Sequence, residues 1–155
     1  MKQIWIAIWI AFFMAGSAMA KDQVTPEIPD NERTLEGVII KVVSPGNLVV
    51  WENGRLYPFT LYGIKLPDPD SDQGRQVKKT VSEQVFNKLL SVRLVESDPP
   101  RGIVIIRGKC LNETLVRQGV AGVEPACKKE PHCSQWRKAE AAARTAGIGI
   151  WKSAD

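Results

Sequence analysis

Gly37-Val38-Ile39-Ile40-Lys41-Val42-Val43-Ser44-Pro45-Gly46-Asn47-Leu48-Val49-Val50-Trp51-Glu52-Asn53-Gly54-Arg55-Leu56-Tyr57-Pro58-Phe59-Thr60-Leu61-Tyr62-Gly63-Ile64 reads as three strands joined by two dissimilar turns. The β-branched run Val38–Val43 stops at Ser44-Pro45-Gly46-Asn47, and Leu48–Trp51 stops at Asn53-Gly54. Asn and Gly both tolerate the positive φ that a tight hairpin turn requires. Pro58 in the third run, Leu56–Ile64, gives no ladder N–H and predicts an edge or a bulge. Antiparallel strands rich in Val and Ile must curl to bury their faces, which suggests a small barrel or a sandwich.

Working outward, Leu66-Pro67-Asp68-Pro69-Asp70-Ser71-Asp72 is a loop, because each Pro drives its predecessor out of helical geometry. Ser71 or Asp72 then caps a helix whose core face is Val77, Val81, Val85 and Leu89, with Phe86 and Leu90 alongside. Val92 to Glu96 and Ile103 to Ile106 are the fourth and fifth strands, with Arg107 and Lys109 flanking a turn at Gly108. A second helix runs from Leu111 to Gln118 and stops at Gly119; a third, from Ser134 to Ala146, stops at Gly147. Ile148, Ile150 and Trp151 fold back as a clasp, and Trp136 pins the last helix to the strands.

The chain has 155 residues, enough for one domain with a real core. Lys2, the apolar run Ile4 to Met14 and Ala18-Met19-Ala20 have the order of a secretory signal, so cleavage is expected after Ala20, leaving no membrane anchor. Losing Lys2 reduces 21 Lys and Arg to 20, against 17 Asp and Glu, a net of +3. That balance permits an acidic partner without demanding one. Export places the protein outside the cell or in the periplasm, where Cys127 and Cys133 are expected to form a disulfide around Pro131, leaving Cys110 buried and unpaired. With a single His132 and no paired C-x-x-C, zinc is not expected. The divisions are therefore a signal at 1–20, a polar leader at 21–33, one domain at 34–151 and a tail at 152–155.

Leu111-Asn112-Glu113-Thr114-Leu115-Val116-Arg117-Gln118-Gly119-Val120-Ala121, then Trp136-Arg137-Lys138-Ala139-Glu140-Ala141, the closing Gly149-Ile150-Trp151 and the strand exit Phe59 to Asp68 resemble the staphylococcal nuclease family. The resemblance spans Leu35 to Trp151 and implies an α+β, mainly β fold: a five-stranded oligonucleotide/oligosaccharide-binding barrel with three helices. It also implies calcium-dependent phosphodiester cleavage, in which carboxylates hold the ion, a Glu serves the attacking water and two Arg residues hold phosphate.

At the matching positions this chain departs from that pattern. The two carboxylates of the first turn fall on Pro45 and Asn47, the third-strand Arg on Thr60, the second metal-binding Asp on Lys65 and the Glu on Asp68. The loop Arg falls on Pro99 when counted back from Asn112 without gaps, or on Arg101 after a shift of two residues. The stacking Tyr pair falls on Pro125 and Cys127. Lys65 brings an ammonium where the family uses a metal ligand.

The expectation is a degenerate, non-nucleolytic, monomeric relative with no metal cofactor. It would bind a nucleic acid, a nucleotide phosphate or a protein through Asn47, Thr60, Lys65 and Arg101. The alternative is an active calcium-dependent nuclease with a rearranged site, Asp68 as base and Arg101 on the phosphate, helped by Asp70 and Asp72. Asp68-Pro69-Asp70-Ser71-Asp72 does not continue as a calcium loop, since Gln73 replaces the turn Gly and Lys79 the closing Glu. Trp51, Tyr57 and Tyr62 are candidate stacking platforms if they face outward.

Overall fold

The structure, a computed structural model, describes residues 33–129 and 131–152. The signal reading of 1–20, and the leader apart from Arg33, lie outside the described residues. Strands β1 (Thr34–Val42), β2 (Asn47–Glu52) and β3 (Arg55–Leu61) form the expected meander. Asn53 (φ 48°) and Gly54 (φ 80°) both take left-handed backbone, as a two-residue hairpin requires. After the short β4 (Ile64–Lys65) and helix α1 (Asp72–Val85), β5 (Leu89–Ser97) pairs antiparallel with β1, and β6 (Pro100–Ile106) with β5.

Closure comes from β3 and β6, which pair in parallel at Thr60↔Arg101 and Leu61↔Gly102. Five strands in the order β3-β2-β1-β5-β6 thus make a closed barrel, and with three helices the fold is the expected mainly β, α+β architecture. Pro58 sits where β3 pairs with β2 alone, the edge position that its missing N–H predicts. Strand β7 (Lys109–Cys110) extends β6 through a turn at Arg107 and Gly108. Helix α2 (Leu111–Arg117), β8 (Gly122–Val123), α3 (His132–Thr145) and a 3₁₀ turn (Gly149–Trp151) complete the chain.

Inside the barrel lie Leu35, Ile39, Leu48, Val50, Phe59, Leu61, Val92 and Ile103. Alternation along each strand puts these on the inner face. Ser71 caps α1, its Oγ accepting from Gly74 N at 2.9 Å. Trp136 on α3 is fully buried. Beneath it Gly63 turns with φ +71°, where a Cβ would lie 2.9 Å from the Trp136 ring and 2.6 Å from Cys127 Sγ. The Cys127–Cys133 disulfide is formed, tying the loop before α3 to that helix.

Three local expectations need correction. The third apolar run is not one strand: it breaks at Tyr62-Gly63, and its remainder, β4, pairs with β8. Helix α1 ends at Val85, not at Leu89 or Leu90. Asn87 takes φ 56°, Phe86 is exposed, and Leu89 opens β5 with 73% of its surface exposed. Cys110 is free but only half-buried; that burial still raises its thiol pKa and keeps the unreactive thiol form.

Candidate functional site

Barrel closure assembles most of the candidate residues. Asn47 faces Thr60 across β2 and β3, Thr60 faces Arg101 across the closing seam, and Arg101 faces Glu96 across β6 and β5. One lateral row, Asn47-Thr60-Arg101-Glu96, therefore crosses four strands at the barrel rim. This register selects Arg101 over Pro99 as the residue beside the third strand. The β1–β2 turn is held against the row by Leu61 N donating to Gly46 O at 2.9 Å.

The polar groups of this row are bonded to one another. Thr60 Oγ1 donates to Asn47 Oδ1 at 2.7 Å. Arg101 Nη2 donates to Glu124 Oε2 at 2.5 Å and Nη1 to Glu96 Oε2 at 3.3 Å, while the guanidinium lies 5.3 Å from the centre of the Tyr62 ring. Partial burial works against the charge of Arg101, but Glu124 first and Glu96 second more than offset it, so its pKa lies above the ordinary guanidinium value. One cation shared by two carboxylates leaves the group locally neutral to negative.

Sequence reasoning missed Glu96 and Glu124. Glu96 is legible once β5 and β6 are paired as a hairpin, because it then opposes Arg101. Glu124 approaches through β8, which has only two residues and no periodic signal.

Lys65 and Asp68 are not bonded to this row. Opposite Gly122 on β8, the exposed Lys65 lines a separate cavity with Glu140, Arg144 and Trp151, and its ammonium has no hydrogen bond or ion pair among the described residues. Asp68 Oδ1 accepts from Asp70 N at 2.8 Å, and the Asp68 carbonyl accepts from Ser71 N and Oγ, so the residue shapes the entry to α1. Asp72 pairs with Arg75 one turn along. Among the described residues no three His, Cys, Asp or Glu side chains are placed to share a metal ion. Tyr62 is buried, its Oη accepting from Lys128 N at 3.2 Å, and so offers no stacking platform; Trp51 is exposed on the outer barrel wall and Tyr57 is half-buried under Arg33.

Comparison with known proteins agrees with this architecture. An uncharacterized 38.1 kDa protein of Capnoides sempervirens is 30% identical over 104 residues, covering 65% of this chain and 30% of the relative. The chain thus corresponds to under a third of that relative's length. The family pattern described as staphylococcal nuclease homologue matches residues 59–153, more than half of the chain, from the middle of β3 past the closing Trp151. That segment contains the seam, the Asn112 helix and the Trp136 helix, and with β1 and β2 completing the barrel, the chain belongs to the staphylococcal nuclease homologue family.

Proposed function

We propose that this is an exported, non-hydrolytic member of the family, a binding module that takes a phosphate-bearing ligand, nucleic acid or nucleotide, at the barrel rim. The observation that carries the non-hydrolytic part of this reading is the internal satisfaction of the row; Arg101 is the cation within it that a phosphate would have to win from Glu124 and Glu96. Asn47 Oδ1, the oxygen left to face a cation, accepts from Thr60, and Arg101 is held by Glu124 and Glu96. Calcium prefers six to eight oxygen ligands, several of them carboxylate. Asn47, Lys65 and Asp68 do not make such a set.

Export is supported by the order of charges and apolar residues before Ala20 and by the Cys127–Cys133 bridge, which belongs to oxidising compartments. Among the described residues no helix is long and apolar enough to cross a membrane.

Phosphate must compete with two carboxylates for Arg101, so wild-type retention on a DNA column is expected to be weak and to fall as salt rises. Glu96→Gln/Glu124→Gln frees the guanidinium and is expected to tighten single-stranded DNA binding about tenfold at low salt. Fluorescence anisotropy with a labelled oligonucleotide measures this. An unchanged affinity, or binding indifferent to salt, would direct the search to a protein partner instead.

A further inference from the structure

Beside the rim, β4, β8, α3 and the 3₁₀ turn border an open pocket of about 380 Å³ that takes no part in the Asn47-Thr60-Arg101 row. Gly122 lets two of its wall groups pack closely onto β8. Lys65 and Gly122 are directly opposed on antiparallel strands, so their side-chain directions share one face. A Cβ on Gly122 would lie 3.1 Å from Glu140 Oε1 and 3.7 Å from the Trp151 ring. Lys65 therefore stands on the face of the β4–β8 pair against which Glu140 and Trp151 pack, and lines the same pocket. Leu66, Pro67, Val123 and Ile150 give the remaining wall its apolar character.

The charges in this cavity do not cancel. Glu140 Oε1 accepts from Val123 N at 3.2 Å and from Arg144 Nη2 at 3.0 Å, and the Arg144 guanidinium lies 4.0 Å from the centre of the Trp151 ring. Glu140 and Arg144 thus answer each other, and Arg144 is further engaged on the indole. Lys65, without a partner among the described residues, leaves one positive charge at the rim of an apolar, aromatic-walled space.

We infer that this cavity binds a small, flat, aromatic monoanion, its ring against Trp151, Val123 and Ile150 and its carboxylate or phosphate on the Lys65 ammonium. The volume lies in the lower part of the range for small-ligand pockets and suits a one- or two-ring compound. A single cation with three rotatable donors selects a single anionic group. The inference stands whether or not the protein cuts nucleic acid, because none of these groups belongs to the rim row.

The test is calorimetric titration of the full chain with 2-naphthoate and with its neutral counterpart 2-naphthylmethanol, followed by NMR of the Trp151 indole N–H. Saturable 2-naphthoate binding that shifts the Trp151 signal is expected, with the alcohol about tenfold weaker. Lys65→Met, at an exposed position, should weaken 2-naphthoate about tenfold and leave the alcohol within about twofold. Gly122→Val should weaken both by displacing Glu140 and the Trp151 ring from the pocket wall; should that variant not fold, Lys65→Met decides alone. No saturation, equal affinity for acid and alcohol, or 2-naphthoate binding unchanged by Lys65→Met would overturn the assignment.

Discussion

Asn112→Leu is expected to destabilise the protein by about 3–5 kcal/mol, although the two side chains are nearly equal in size and the position is fully buried. Asn112 is the buried polar residue through which α2 grips the barrel seam. Its Nδ2 donates to Tyr62 O at 2.9 Å and to Gly102 O at 3.4 Å, and its Oδ1 accepts from Val104 N at 3.1 Å. Tyr62 follows β3, whereas Gly102 and Val104 belong to β6, so one amide joins both sides of the parallel β3–β6 seam that closes the barrel. Leucine would leave the Val104 N–H and the Tyr62 carbonyl buried without partners, at about 1–3 kcal/mol each. Urea unfolding followed by circular dichroism measures the loss; a change below about 1 kcal/mol would mean that the seam does not depend on this amide.

A comparable loss, about 3–5 kcal/mol, is expected for Trp136→Ala. The indole fills the space between α3, the Gly63 turn and the Cys127–Cys133 bridge, where the backbone has already given up a side chain to admit it. Its Nε1 is buried without a hydrogen-bond partner. Trp136→Phe removes that orphan donor while keeping most of the ring, so it should cost less than half as much as the alanine variant. Thermal melts of the two variants test the packing account: equal losses would show that the ring Phe keeps contributes nothing, which contradicts it.

The parts of the fold that were legible in the sequence are those set by local chemistry. Asn53-Gly54 dictates a hairpin by its backbone preferences, Ser71 caps α1 by its hydroxyl, and Trp136, Ala139 and Ala143 fall on one buried stripe of α3. The end of α1 was misread because Phe86, Leu89 and Leu90 continue an apolar helical spacing. The chain instead reverses at Asn87, whose tolerance of positive φ is the one local stop signal and is outweighed by the apolar spacing around it, leaving Phe86 and Leu89 exposed. Pairings made by two residues, such as β4 with β8, carry no period at all, and with them went Glu124 and the true surroundings of Lys65. The register of Arg101 is likewise non-local: the loop before β6 has a length that counting from Asn112 cannot supply, whereas pairing with Thr60 places it at once.

What the rim can do chemically depends on whether its polar atoms face a ligand or each other. Asn47 and Thr60 are bonded together, and Arg101 is bonded to Glu124 and Glu96. A phosphate approaching this surface finds one cation already held and no cluster of carboxylates, among the described residues, to seat a divalent ion. The proposed non-hydrolytic reading rests on this arrangement, because hydrolysis needs both an activated water and fixed positive charge.

The most direct measurement is hydrolysis of labelled DNA and RNA by the purified protein, with calcium and with a chelator. No turnover above the protein-free blank is expected in either condition. Cutting that requires calcium and disappears in Asp68→Ala would contradict the non-hydrolytic reading.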